Sequence, residues 1–369
     1  MGWETEILVI GGGPAGLAAA IAARKKGFEV TVADGAKPPI DKACGEGLMP
    51  NTVTALRELG IAIHPSDGQI FRGLRFLDGS TETEASFPGM AGVGVARTIL
   101  HQKMVQRAQQ EGVSLLWNTP VSSLNREGAI LGGRAMRAKW IIGADGIQSR
   151  VRRWSGLETV SQQEEGRFAQ RGHYRVKPWT DCVEIYWGQT MQAYVTPLGS
   201  AETCVVLVSS EPHVRLADAW REFPELAARL LGAELSGAER GGFTTTRKLS
   251  RVYRGNIALT GDASGSVDAI TGEGLCLSFR HAMALADALE QGDLESYQVA
   301  HNRLARRPTM MSRLLLLLGR KRTLRQRTLK VLSKDPRLFA RLLAVHAGES
   351  STLRFTATSL RFGYQFLAA

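Results

Sequence analysis

Apolar positions along this chain follow two periods. Near the amino terminus a continuous run, Ile7-Leu8-Val9-Ile10, breaks into Gly11-Gly12-Gly13-Pro14-Ala15-Gly16 and then into an alanine-rich stretch. An apolar run bounded by glycines predicts a buried parallel strand and a tight turn. The small side chains Ala18, Ala19, Ala20, Ala22 and Ala23 predict a helix lying close against that strand. Glu29 to Ala33 predicts a second strand, Asn51 to Leu59 a helix closed by Gly60, and Thr98 to Gln110 a helix stopped by Gly112. Val113 to Trp117 then reads as another strand of the same sheet, and Trp140 to Ile142 as a strand running into a turn. Alternation at Ile70 to Leu77 and Thr81 to Phe87 predicts a hairpin about Asp78-Gly79, and residues 168–209 are strand-rich throughout. Ile257 to Thr260 returns as a strand, and Gly274 to Leu289 is a long helix after a glycine turn.

The first turn also carries chemistry. Gly11, Gly13 and Gly16 fit G-x-G-x-x-G, where the glycines serve a tight turn, close backbone approach to a pyrophosphate, and close packing of helix on strand. Pro14 suits the first helical turn, where a missing N–H costs nothing. The helix amino terminus at Ala15 is an anion site. Asp34 ends the second strand eighteen residues beyond Gly16, where a carboxylate accepts hydrogen bonds from an adenosine ribose. The stretch predicts dinucleotide binding.

Composition narrows the rest. The chain has 369 residues, enough for two domains or one large domain with an inserted sheet. Cys44, Cys182, Cys204 and Cys276 lie far apart with no C-x-x-C pair, which argues against a zinc site or a redox dithiol and suits a reducing cytosol. The first strand leads straight into the glycine turn, so no signal peptide is read, and no apolar run approaches the ~18 residues of a spanning helix. A cytoplasmic location is expected. The net charge of +11 is concentrated in the tail: residues 301–369 hold 15 basic and two acidic residues. Residues 1–300 carry −2.

Two later motifs join the first. Gly143-Ala144-Asp145-Gly146, with Ser149, Val151 and Arg152, resembles the G-A-D-G-x-x-S-x-V-R motif of single-component FAD enzymes. Gly261-Asp262-Ala263, followed by Gly272-Glu273-Gly274, resembles their second flavin motif. Together they resemble the FAD-dependent monooxygenase and geranylgeranyl-reductase superfamily, single-Rossmann and group A flavin monooxygenase-like, over about residues 5–290. The resemblance implies an α/β fold with a Rossmann-like FAD domain of the two-dinucleotide-binding, glutathione-reductase-like type. It implies an antiparallel β-sheet substrate domain and a C-terminal helical tail. The expected division is 1–68, 92–160 and 250–300 for FAD; 69–91 and 161–249 for substrate; and 301–369 for the basic tail. Asp262 should hold the ribityl chain, Gly261 the pyrophosphate, and Gly272, Gly274 and Leu275 the isoalloxazine, which a helix amino terminus stabilises when reduced. Arg97 matches a family arginine near the cofactor, Val121 the adenine contact, and Asp145 a cofactor or nicotinamide role. Gly35, Lys42, Gly47 and Leu48 complete the expected FAD set. With one dinucleotide fingerprint, NAD(P)H or another electron donor visits transiently.

The reaction is read from two further segments. Cys44-Gly45-Glu46-Gly47-Leu48 resembles the C-G-G-G-L loop of the geranylgeranyl-reductase branch, where a cysteine lies beside flavin and isoprenoid tunnel, with Glu46 replacing a small residue. A plainer reading makes Cys44 a small buried hydrophobe and Glu46 a solvated loop acid. Tyr194-Val195-Thr196-Pro197-Leu198-Gly199 stands where that branch has Y-x-W-x-F-P but lacks the tryptophan, which tilts the expectation toward a monooxygenase acting on a hydrophobic aromatic or isoprenoid substrate. Cys44, Glu46 and Tyr194 are the catalytic candidates, and no metal is expected. A carbon–carbon double-bond reductase is the alternative, and a non-catalytic lipid- or prenyl-binding protein the rival of another class. The W-x-W-x-I-P motif of halogenases is absent. His173, Tyr174, Tyr186, Trp187 and Tyr194 offer aromatic lining, about half of which alternation turns to the pocket. For the leucine- and arginine-rich tail two readings stay open: amphipathic helices on an anionic bilayer, or a helical cap over the pocket. Nucleic acid is not expected, because no recognition motif accompanies the charge.

Overall fold

A computed structural model describes residues 4–125, 127–163, 166–212, 215–346 and 366. The first strand, Thr5–Ile10, lies inside a parallel sheet between Arg134–Gly143 and Val30–Ala33, with Ile257–Leu259 beyond the former and Ser114–Leu116 beyond the latter. Strands buried on both faces read as near-continuous apolar runs. Ile7, Leu8 and Val9 are accordingly inaccessible. Helices Pro14–Lys25, Arg97–Gln110 and Gly274–Gln291 share one core with these strands, built from Leu17, Ile21, Leu100, Met104, Phe279 and Leu285.

A second sheet of seven strands runs Arg240–Thr244, Arg167–Tyr174, Glu202–Ser209, Met191–Gly199, Cys182–Trp187, Gly73–Asp78 and Thr81–Ser86. All neighbours are antiparallel except Cys182–Trp187 with Gly73–Asp78. The expected strand Ile70 to Leu77 is corrected here: it is two strands broken at Arg72. Gln69–Phe71 joins Gly92–Gly94 and Gly47–Leu48 in a small sheet, while Gly73–Asp78 joins the large one. Gly73 permits the break, since a Cβ there would overlap the Ala85 carbonyl. The small sheet ties the Cys44–Leu48 segment to strand Met191–Gly199 of the second sheet, where a Cβ on Gly94 would overlap the Pro197 carbonyl.

The tail opens with a 27-residue helix, Leu294–Arg320, which runs straight through residue 300 and carries Pro308 in its interior. Helices Arg322–Lys334 and Pro336–His346 follow, the latter capped by Asp335, whose Oδ1 accepts from the Leu338 N–H at 3.0 Å. Leu318, Val331, Leu332, Leu338, Phe339 and Leu343 pack against Leu74, Ala85, Phe87, Val183, Ile185 and Trp187 of the second sheet. The tail from 347 on, other than Phe366, lies outside the described residues. The protein is thus a mixed α/β fold whose two main sheets meet along one cavity.

Candidate active site

That cavity has a volume of about 1300 Å³, above the ~300–1,000 Å³ usual for a single small ligand. It begins at the first glycine turn. Gly11 sits at φ +113°, and a Cβ there would overlap the Ala144 carbonyl; a Cβ on Gly16 would overlap the carbonyl of Gly11. Gly13, by contrast, would meet nothing within 4 Å and faces open cavity. Helix Pro14–Lys25 has no side-chain cap, so its first N–H groups with Pro14 and Ala15 look into that space. The Asp34 carboxylate accepts from the N–H groups of Gly12 (2.6 Å) and Ala36 (2.8 Å), which fixes it at the cavity edge beside Gly35 and Val121.

One support of this turn was not foreseen. His101 is inaccessible, receives the Ile40 N–H on Nδ1 (3.3 Å), and so donates Nε2–H to the Gly12 carbonyl at 2.8 Å. Burial pushes its pKa down and keeps it neutral.

The second motif meets the third through Arg152, which is 1% exposed. Its guanidinium donates to Glu158 Oε2 (2.8 Å), the Ile147 carbonyl (2.9 Å) and the Ala263 carbonyl (3.2 Å). Asp145 lines the cavity, but its carboxylate caps helix Arg150–Trp154, accepting from Ser149 Oγ (2.5 Å), Arg150 N–H (2.7 Å) and Val151 N–H (3.1 Å). What Asp145 offers a ligand is therefore mainly backbone. Gly261 (φ +59°) packs against Ala15, which brings Asp262 to the cavity, where Lys42 Nζ lies 3.5 Å from Oδ2. Gly272 (φ +66°), Gly274 and Leu275 line the wall at the uncapped start of helix Gly274–Gln291. Arg97 also lines it, and its Nε is buried with no hydrogen-bond partner among the described residues. An orphaned cationic N–H, a glycine cradle facing the cavity and two open helix amino termini fit a dinucleotide of FAD's chemistry.

The Cys44–Leu48 segment forms the wall opposite. Cys44 is half-buried, and its Sγ accepts the Glu46 N–H at 3.4 Å. Glu46 is not the solvated acid of the plainer expectation. Its side chain is inaccessible: Oε1 accepts from Arg97 N–H (2.9 Å) and Arg171 Nη1 (3.0 Å), and Oε2 lies 2.5 Å from His173 Nε2. Glu46, His173 and Cys204 also bring ligand-type atoms within 4.8 Å of one another. The positive charge a metal would bring is already supplied there by Arg171. Gly47 and Leu48 pair with Gly94 and Val93, and Thr196, standing where the signature has tryptophan, donates to the Gly45 carbonyl at 2.8 Å.

Beyond this loop the wall becomes apolar. Trp187 and Tyr194 line it, while Tyr174 and Tyr186 turn to the opposite face of the sheet against Phe223 and Leu226, and His173 turns to Glu46. Burial raises the Tyr194 pKa to about 12, so its phenol stays protonated and donates to Gln192 Oε1 at 3.0 Å. Gln192 is in turn held by Arg167 (2.8 Å), which forms a buried ion pair with Asp268. The far end is closed by Leu315, Leu329, Leu332, Phe339 and Leu343 of the tail and by Arg325, whose Nε and Nη2 reach Asp78 at 2.9 and 3.2 Å. Arg171, Arg167, Asp268 and Arg325 were missed. For Arg167 and Arg171 the available signal was a charged residue inside a strand; Asp268 stands at a turn and Arg325 on a tail helix, where no such signal exists.

Comparison with known proteins agrees with this geometry. Residues 4–292 match the protein family described as an FAD binding domain. The chain belongs to that family. It is an FAD-dependent oxidoreductase of the monooxygenase and geranylgeranyl-reductase superfamily. This flavoprotein is 29% identical to menaquinone reductase of Mycolicibacterium smegmatis over 81% of this chain and 80% of that one. It is 31% identical to digeranylgeranylglycerophospholipid reductase 1 of Methanopyrus kandleri over 74% and 76%. The structure of p-nitrophenol 4-monooxygenase from Pseudomonas putida superposes with a TM-score of 0.75 at 18% identity, covering 99% of both chains, which is a likeness of fold.

Proposed function

We propose that this flavoprotein reduces a carbon–carbon double bond in the isoprenoid chain of a lipid. The observation that carries the reading is the single cavity that runs from the glycine cradle, past Cys44, into an apolar end closed by the tail helices. An elongated hydrocarbon fits such a space better than a compact aromatic. The names of the two sequence relatives, reductases of menaquinone and of digeranylgeranylglycerophospholipid, support it.

Gly11, Gly13, Gly16 and Ala15 would hold the pyrophosphate, with Asp34, Gly35 and Val121 at the adenosine end. Asp262 and Lys42 would hold the ribityl region, and Arg97, Gly47, Leu48, Gly272, Gly274 and Leu275 would surround the ring. When bound and reduced, FAD supplies a hydride equivalent to one carbon of the alkene. The chain's task is then to orient the alkene, keep water out and deliver a proton to the other carbon. Cys44 Sγ–H, half-buried on the wall, is the donor in this reading; its proton forms the second C–H bond and the thiolate recovers a proton from solvent. Tyr194 stays neutral and presents ring surface to the chain. A visiting NAD(P)H or another donor supplies the electrons.

The lipid would arrive from a membrane surface. Met310, Leu314 and Leu317 form an exposed stripe on the helix Leu294–Arg320, beside Arg313, Arg320 and Lys321, and Met310 and Leu314 also line the cavity. Cations around exposed apolar side chains suit anionic headgroups. No helix among the described residues is long and apolar enough to cross a membrane.

Thr196 in place of the signature tryptophan favours a second reading, oxygen transfer. Incubation of the reduced protein with an isoprenoid lipid under nitrogen decides between them. Product heavier by two hydrogens per reduced bond supports reduction. Unchanged lipid under nitrogen, with an oxygen-containing product in air, supports the oxygenase.

A further inference from the structure

Residues 41–46 have no regular secondary structure, yet they carry Cys44 to the cavity wall. Arg171, which is 3% exposed, reaches them from strand Arg167–Tyr174. Its Nη2 donates to both oxygens of Asp41, at 2.9 and 2.8 Å, and its Nη1 to Glu46 Oε1 at 3.0 Å. Asp41 and Glu46 are the two ends of the loop, so one guanidinium spans Lys42, Ala43, Cys44 and Gly45. Arg240 Nε braces Asp41 from outside at 2.9 Å. Glu46 stands at φ +58°, and among the described residues only Asn118 is another non-glycine residue with positive φ. L side chains rarely hold that conformation unless their surroundings over-determine it. Here the carboxylate is fixed by Arg171, the Arg97 N–H and His173, and the resulting turn aims the Glu46 N–H at Cys44 Sγ.

We propose that Arg171 is a positioning residue whose guanidinium spaces Asp41 and Glu46 and thereby holds the Cys44 sulfur against the cavity. The spacing requires a planar fork; a lysine would bring the charge but not the two-sided reach. The inference rests on the reductase reading only for its kinetic consequence. The loop geometry stands independently of it.

The test is the rate at which a thiol-specific disulfide reagent labels the purified protein, with Cys44→Ser as the blank. Cys182, Cys204 and Cys276 are buried; because Cys204 Sγ lies 3.9 Å from the Cys44 carbonyl, the Cys44→Ser blank is made in each variant's background, so that the difference reports Cys44. Arg171→Lys is expected to speed Cys44 labelling about tenfold through local opening, with circular dichroism and flavin content preserved. On lipid reduction, kcat should fall about tenfold with KM nearly unchanged, as expected when a reacting group is misplaced. Glu46→Gly, which relieves the positive φ and leaves Arg171 on Asp41, should give a smaller acceleration. Labelling at the wild-type rate in both variants would overturn the proposal; if Arg171→Lys does not fold, Glu46→Gly decides alone. Faster labelling with undiminished lipid reduction would keep the clamp and remove Cys44 as proton donor. Full activity of Cys44→Ser would likewise remove Cys44 as proton donor and leave the clamp to the labelling rates.

Discussion

At the nucleotide end the cavity wall is backbone: glycines without Cβ atoms, two uncapped helix starts, and carboxylates that are hydrogen-bonded to nearby N–H groups. At the apolar end it is side chain: leucines and aromatics from segments 74–87, 183–194 and 315–343, locked by the buried pairs Asp78–Arg325 and Arg167–Asp268. The first kind of wall tolerates no added atom at a crossing and recognises a fixed ligand. The second tolerates change in shape, provided its buried charges keep their partners.

The comparison is broken most severely at Gly16. Gly16→Ala places a methyl on the Gly11 carbonyl and should cost about 3 kcal/mol, leaving little folded protein. Gly13→Ala should melt like the wild type while losing FAD affinity in a flavin titration. Equal destabilisation by both would mean that the two glycines do not divide packing from ligand approach. At the apolar end, Asp78→Asn leaves the Arg325 guanidinium buried without its counter-charge, a loss of about 3–5 kcal/mol in a urea titration. A shift below about 1 kcal/mol would show that packing alone holds the tail. Flavin content under native conditions should be unchanged.

Asp262→Ala sharpens the contrast from the other side. Among the described residues its one ion pair is the half-exposed contact with Lys42, so stability should hold while the protein purifies without yellow colour. Full flavin occupancy would remove Asp262 from the ribityl role. The smallest effect is expected where the two regions join. His281 and His301, on consecutive helices, stack at 3.9 Å, and His301 donates to Ser264 beside the Gly261 turn at 2.9 Å. Burial pushes His281 well below its ordinary value and His301 to about 4. Between an unfolded value of about 6.5 and pH 4 the unfolded chain therefore binds more protons. Stability present above pH 6.5 should fall as the pH drops through that window, and His281→Leu should flatten the melting-temperature profile there. An identical profile in that variant would assign the acid sensitivity elsewhere.

The nucleotide end was legible because its requirements are local. Gly11 to Gly16, Asp34, Asp145 and Gly261-Asp262 each announce a turn or a cap within a few residues, and each turn comes to the same cavity. The loop around Cys44 was half legible: the motif pointed to the right segment, but Glu46 stood open between a catalytic candidate and a solvated acid because its partners, Arg171 and His173, lie 125 and 127 residues away. The strand Ile70 to Leu77 was misread as one element because its alternation is continuous, while the break at Arg72 comes from pairing with two different sheets.

By itself the sequence determined most of the strands, the three glycine turns that reach the cavity and the basic character of the tail. Those features depend on residue type and short spacing, which fix backbone conformation and local charge. Tertiary structure alone decided which aromatic side chains face the cavity, that Arg171 brackets the Cys44 loop, and that the tail helices close the far end. These depend on register, sheet face and the pairing of buried charges across long separations, because a charge excluded from water must find its partner wherever the fold brings one.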